Sequence, residues 1–171
     1  DHCYGEGLVA WSSTFGNAAH LTAATNIMVN IEDWYNVGGH LADPVSYYGP
    51  RGIARHLIIS CAMAAATGLA RWSNQRDEII GLFLNSPDWD ASRGMYWCSE
   101  FTTNGKTFSG TYAQGFRVQN SFMIGILVEA FWRAYQATHN TTLRQRLIQI
   151  ANFVSAYGVG TFEYAAGWFT F

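Results

Sequence analysis

The sequence predicts an all-α fold of stacked αα-hairpins with a small β-ribbon insertion. Three observations predict it. Long stretches carry apolar residues at spacings of three and four. Short polar or glycine-bearing breaks separate these stretches in pairs. The second pair resembles the third at an interval of roughly 70 residues, the mark of stacked units that share a core. The whole chain, 1–171, reads as a single helical domain.

The first pair comprises residues 4–14 and the helix "NAAHLTAATNIMVNIEDWYN" over 17–36. The second opens at 51–72, where Ile53, Leu57, Ile58, Cys61, Ala62, Ala65, Leu69 and Trp72 share a face. The small-sided run "AMAAATG" permits close helix approach, "SNQR" is expected to turn the chain, and "DEIIGLFLN" begins the return. The third pair is the clearest. Residues 118–138 place Phe122, Met123, Ile126, Leu127, Ala130, Phe131 and Ala134 on one face. Ile124, Val128 and Trp132 make a second apolar face, so this helix is expected to be sandwiched. Thr141 or Thr142 is expected to cap the returning helix. That helix turns Leu143, Leu147, Ile150, Ala151, Val154 and Tyr157 inward and Arg144, Gln145, Arg146 and Gln149 outward. A glycine before an aromatic-rich run follows both later pairs, in "DASRGMYWCSEF" and "EYAAGWFTF", with Gly94 matching Gly167. Asn104-Gly105 between threonine- and phenylalanine-bearing flanks predicts the β-ribbon.

Composition narrows the function. Charged residues are 13% of the chain, about half the usual share. Many positions must therefore face other protein, so the folded body is expected to be larger than this chain: part of a bigger barrel, or one member of a tight oligomer. The net charge of −2 provides no basic footprint for nucleic acid. No apolar run reaches a membrane span, and the 49% apolar content excludes disorder. Basic residues are nine arginines and the single Lys106, which suits bidentate pairing with carboxylates. Aromatics reach 16% with seven tryptophans, a surplus suited to stacking sugar rings or to filling a core. Cys3 and Cys98 could pair, and Cys61 reads as a small core residue. Asn140-Thr141-Thr142 is a glycosylation sequon. No nucleophile elbow, phosphate loop, dinucleotide fingerprint or zinc spacing occurs, so no cofactor or metal is expected. The opening "DHCYGEG" reads as a processed start.

The hairpin "GFRVQNSFMIGILVEAFWRAYQATHNTTLRQRLIQIANFV", with its Tyr135-Gln136-Ala137-Thr138 element before the turn, resembles the inner-helix, outer-helix unit of the (α/α) toroid carbohydrate-active enzymes. These are the polysaccharide lyases and the six- or seven-hairpin glycosidases. The resemblance implies a partial toroid whose inner helices turn polar ends toward a cleft, a polysaccharide substrate, and a secreted or periplasmic location. Two helix approaches carry suitable residues: Tyr47, Tyr48, Arg51, Arg55 and His56, and Tyr112, Gln114, Arg117, Gln119 and Asn120.

For β-elimination on a uronate, the carboxylate must be neutralised, a base must take the C5 proton and an acid must protonate the leaving oxygen. Asn120 and Arg117 are expected to neutralise, His56 to act as base or neutraliser, and Tyr48 (or Tyr47 or Tyr112) as acid or base. Arg51, Tyr47, Tyr112, Trp97, Trp34 and Gln119 are expected to bind substrate. Each has a plainer reading: His56 as a packed core histidine, Asn120 as a cap, Arg117 as an ion-pair partner of Glu129 or Glu100. Glycoside hydrolysis would need a carboxylate pair, for which Asp88 and Asp90, Glu100, Glu32 and Asp33, or a buried Glu129 are available. A non-catalytic sugar-binding scaffold would use Trp11, Trp34, Trp89 and Trp97.

Overall fold

The computed structural model describes residues 5–37, 44–87, 89–96 and 121–157. These are mostly helical, as the apolar spacing predicts. Helices α1 (Gly5–Phe15) and α2 (Ala18–Val37) form the first pair, and α3 (Pro44–Thr67) and α4 (Ala70–Leu84) the second. Helices α5 (Ser121–Thr138) and α6 (Thr141–Tyr157) form the third. Between the last two pairs lies an antiparallel ladder of β1 (Trp89–Asp90) and β2 (Met95–Tyr96), with Trp89 opposite Tyr96 and Asp90 opposite Met95. The expected β-ribbon around Asn104-Gly105, Gly167, Cys3 and Cys98 lie outside the described residues.

One corner recurs in each pair. Gly16, Gly68 and His139 follow their helices with φ of 69°, 65° and 53°. Each donates its N–H back to the residue four earlier: Gly16 to Ser12 (2.8 Å), Gly68 to Ala64 (2.9 Å), His139 to Tyr135 (2.7 Å). This is the left-handed cap that closes a helix end and reverses the chain. The next helix starts two residues later in every case. The second and third corners also share their threonine. Thr67 Oγ1 donates to the Met63 carbonyl and accepts from Leu69 N–H. Thr138 Oγ1 does the same with Ala134 and Asn140. All of these positions are 71 residues apart, which gives the repeat of roughly 70 residues its register.

Three boundaries differ from expectation. α3 begins at Pro44, not near residue 51, and takes Tyr47, Tyr48 and Pro50 into the helix. It ends at Thr67, because Gly68 alone turns the chain, and "SNQR" lies inside α4. Asn140 caps α6, not a threonine: its Oδ1 accepts from Thr142 N–H (3.0 Å) and Leu143 N–H (3.2 Å).

The core has two parts. Val9, Ala24, Met28, Ile59, Met63 and Trp72 join the first two pairs. Leu57, Cys61, Ile79, Phe83, Tyr96, Leu127, Phe131, Leu143 and Ile150 are among the residues joining the last two pairs and the ladder. Phe83, Tyr96 and Phe131 meet edge to face at 5.0–5.9 Å.

The outward stripe expected for α6 is partly covered. Arg146 lies with its guanidinium carbon 3.9 Å from the Trp89 ring centre and 5.3 Å from that of Tyr96. It donates to Tyr96 Oη (2.5 Å) and to the Leu84 carbonyl (3.0 Å), and Tyr96 Oη donates to the Phe83 carbonyl (2.8 Å). The Phe83 and Leu84 carbonyls belong to the last turn of α4, past its internal donors; Ser86 N–H reaches Phe83 (3.3 Å), and the side chains of Tyr96 and Arg146 add donors to Phe83 and Leu84. Burial pushes the Tyr96 hydroxyl far above its usual range, against the pull of Arg146, so it stays protonated and able to donate.

Gly94 closes the ladder's turn with φ of 72°. A Cβ there would stand 2.8 Å from Gln149 Cβ and 2.9 Å from its carbonyl oxygen. Gly94→Ala therefore combines backbone strain with a clash against α6 and is expected to cost about 3 kcal/mol by urea unfolding. His139→Gly, which relieves a side chain at positive φ, is expected to stabilise by about 1 kcal/mol in the same measurement.

Candidate functional site

Tyr47, Tyr48 and Arg51 fall within the first eight residues of α3. Arg55 and His56, expected beside them, do not. His56 is the thirteenth residue of a helix that starts at Pro44, which puts it about 18 Å along the axis from the first residue. The long helix hidden in the Gly49-Pro50 stretch separates residues that looked like one cluster. Pro50 has no N–H to offer the Ser46 carbonyl, and that break reads in sequence as a turn before a new helix.

His56 is only 5% exposed and sits in the seam between α3 and α4. Burial pulls its pKa down to about 4, against a hydrogen bond with Gln75 of α4 that favours the charged form. Ser60 Oγ donates to the His56 carbonyl (2.9 Å) and lies 3.1 Å from Gln75 Oε1. His56, Ser60 and Gln75 thus form a buried polar link between two helices. The imidazole is neutral at pH 7 and covered, so it does not stand at the mouth of a cleft as the sequence suggested. Arg55 Nε is buried, with no hydrogen-bond partner among the described residues.

Trp34 lies in the last turn of α2. Trp97, Tyr112, Gln114, Arg117, Gln119, Asn120, Glu100 and Asp88 lie outside the described residues.

Two of the carboxylates considered for hydrolysis, Asp90 and Glu129, have other work. Asp90 Oδ1 accepts from Ser92 N–H (3.0 Å), Ser92 Oγ (2.6 Å) and Arg93 N–H (3.2 Å), and its Oδ2 pairs with Arg93 (3.1 Å). It holds the turn between β1 and β2. Glu129 is exposed, not buried, and accepts from Arg133 Nε at 2.8 Å. Arg133 also pairs with Glu6 of α1. Burial opposes the charge of Arg133, yet the two carboxylates hold its pKa above the usual value. This ion pair between the first and third helix pairs was not foreseen, because nothing local in sequence links Glu6 to residue 133.

Trp89 lies against Arg146 and is no free platform, whereas Trp11 is exposed beside Phe15 (4.6 Å between ring centres) and His20 (6.0 Å). Burial pushes the Cys61 thiol up to about 11, although Arg76 and Arg133 pull the other way, so it is an unreactive core residue as expected. Among the described residues no three His, Cys, Asp or Glu side chains gather to hold a metal ion, and no helix is long and apolar enough to cross a membrane.

The lowered pKa of His56 fixes the sign of a pH effect. Between pH 6.5 and about 4 the unfolded chain takes up a proton that the folded seam refuses, so stability falls as pH drops through this window. His56→Gln is expected to flatten that slope, worth roughly 3 kcal/mol at most across the window, when urea midpoints of the two proteins are compared at each pH. No protein-family model, curated protein or solved structure matches this chain.

Proposed function

We propose that this chain forms consecutive arcs of an (α/α) toroid that binds a uronic-acid polysaccharide outside the cytoplasm and cleaves it by β-elimination. The observation that carries the reading is the corner that recurs at Gly68 and His139 with matching threonine bonds. It makes α3 and α5 equivalent members of successive hairpins. In that register Tyr48 and Gln119 are also 71 residues apart. Both polar, aromatic stretches singled out in the sequence therefore stand at the same offset from the corner, which supports one shared rim in a toroid.

In this reading Arg117 and Asn120 neutralise the substrate carboxylate, which acidifies the C5 proton. Tyrosine at 48, with Tyr47 and Tyr112 beside the same rim, takes that proton. The C4–O bond breaks, the departing oxygen accepts its proton from Tyr47 or Tyr112, and a C4=C5 double bond conjugated to the carboxylate remains. Arg51, Gln119, Trp34 and Trp97 bind neighbouring sugars. His56 contributes by fixing α3 against α4 and does not touch substrate. The engagement of Asp90 and Glu129 in turn and ion-pair contacts favours elimination over hydrolysis, which needs a free carboxylate pair.

Incubation with alginate, glucuronan and related uronate polymers is expected to raise ultraviolet absorbance as the conjugated double bond accumulates. Asn120→Ala is expected to lower that rate at least about a hundredfold with unchanged helical circular dichroism. Reducing ends released without the absorbance would show hydrolysis, and full activity in Asn120→Ala would remove Asn120 from the site.

A further inference from the structure

The recurring corner sets the helices in register, and the register exposes an asymmetry at the two ends of the chain. Counting back from Gly16, Gly68 and His139, Trp11, Met63 and Ala134 occupy one equivalent position, and Gly7, Ile59 and Ala130 another. On α3 these residues look back toward the preceding hairpin: Ile59 and Met63 are buried with Val9 of α1. On α5, Ala130 and Ala134 are buried in the cluster shared with α3. On α1 the same face is open. Trp11 is 53% exposed, where Met63 and Ala134 are 0% exposed.

The opposite face shows the reverse order. Val9, Cys61 and Trp132 are equivalent, as are Gly5, Leu57 and Val128. Val9 is 3% and Cys61 6% exposed because α3 covers the first and the cluster shared with α5 holds the second. Trp132 is 49% exposed. On the second apolar face of α5, Ile124 and Val128 are partly buried against the core, as expected of a sandwiched helix, and Trp132 stands exposed. Gly125, the equivalent of buried Ala54, is likewise exposed.

Each open face thus corresponds to one that, inside the chain, is packed against the other kind. The back face of α3 already sits on the front face of α1, with Met63 and Val9 in one cluster. We infer that copies of this chain associate head to tail, with the Gly7, Ala10 and Trp11 face of α1 in one copy seated on the Gly125 and Trp132 face of α5 in the next. The contact continues the hairpin stacking that runs through the molecule. It is heterologous, so it closes into a ring if the rotation per hairpin allows and otherwise builds an open chain. Two exposed tryptophans as its anchors fit the residue type that dominates such contacts. The 13% charge content fits a chain with little surface left for water alone. The inference rests on the hairpin repeat of the proposed function and is independent of its chemistry.

The test uses sedimentation velocity on the 171-residue chain from micromolar to millimolar concentration. The wild-type mass is expected to rise with concentration. Gly7→Glu and Gly125→Glu each put a charge on one face, and a Cβ at either position meets nothing within 4 Å, so the helices themselves accommodate it. Each variant is expected to weaken self-association at least about tenfold, with far-ultraviolet circular dichroism unchanged. An equimolar mixture is expected to recover a 1:1 complex, because one variant keeps the α1 face and the other the α5 face. A wild-type chain that stays monomeric throughout, or a mixture that associates no better than its components, overturns the inference. The same samples assayed on uronate polymers separate the two readings: turnover by a monomer sinks the association alone, and association without turnover sinks the chemistry alone.

Discussion

The left-handed residue at the end of each first helix is the constraint from which the rest follows. A helix leaves its last carbonyls without internal donors, and a chain that must return antiparallel within two residues has few ways to satisfy them. Gly16, Gly68 and His139 all use the same one. Because the reversal is so short, each pair of helices is held at close quarters, and the small residues of α3 and α5 accept that proximity. Once one corner is fixed, apolar positions on successive helices fall in register, and the two clusters of the core form where those positions meet.

A second constraint acts at the other end of the outer helices. α4 stops at Leu84, where Asn85 and Ser86 N–H close back onto the Gly81 and Phe83 carbonyls. Tyr96 from the ladder adds a donor to Phe83, Arg146 from α6 supplies one to Leu84, and Trp89 covers the guanidinium face. Arginine suits this place because its planar fork can bond along its edge and stack on its face at once. His56 plays a comparable part between α3 and α4, where a neutral imidazole bonds Gln75 without bringing a charge into the seam. Polar side chains that might have been assigned to chemistry are here the groups that satisfy buried backbone or join helices.

The helical pairs were legible in sequence because apolar periodicity reports which face is buried, and the first pair's bounds fall within one residue of expectation. The second pair was misjudged where one residue outweighed a run of others. Gly68 reverses the chain although the apolar pattern continues through Leu69 and Trp72, and α3 passes through Pro50 although proline usually marks an edge. The cluster of Tyr47, Tyr48, Arg51, Arg55 and His56 shared the same error: neighbours in sequence were read as neighbours at a helix mouth, whereas helical rise spreads them over several turns. Long-range polar links such as Glu6 with Arg133, or Arg146 with Leu84, leave no local trace and could not be read from spacing.

The bond from Arg146 to the end of α4 also bears on how the chain acquires its structure. The second hairpin does not complete its own terminus alone, since the donor to the Leu84 carbonyl arrives 62 residues later from the third. Until that later segment has docked, the Leu84 carbonyl lacks this donor and the end of α4 should fray into water. Adjacent units are therefore bound into one cooperative transition, and a truncation that removes α6 would loosen a helix it never overlaps in sequence.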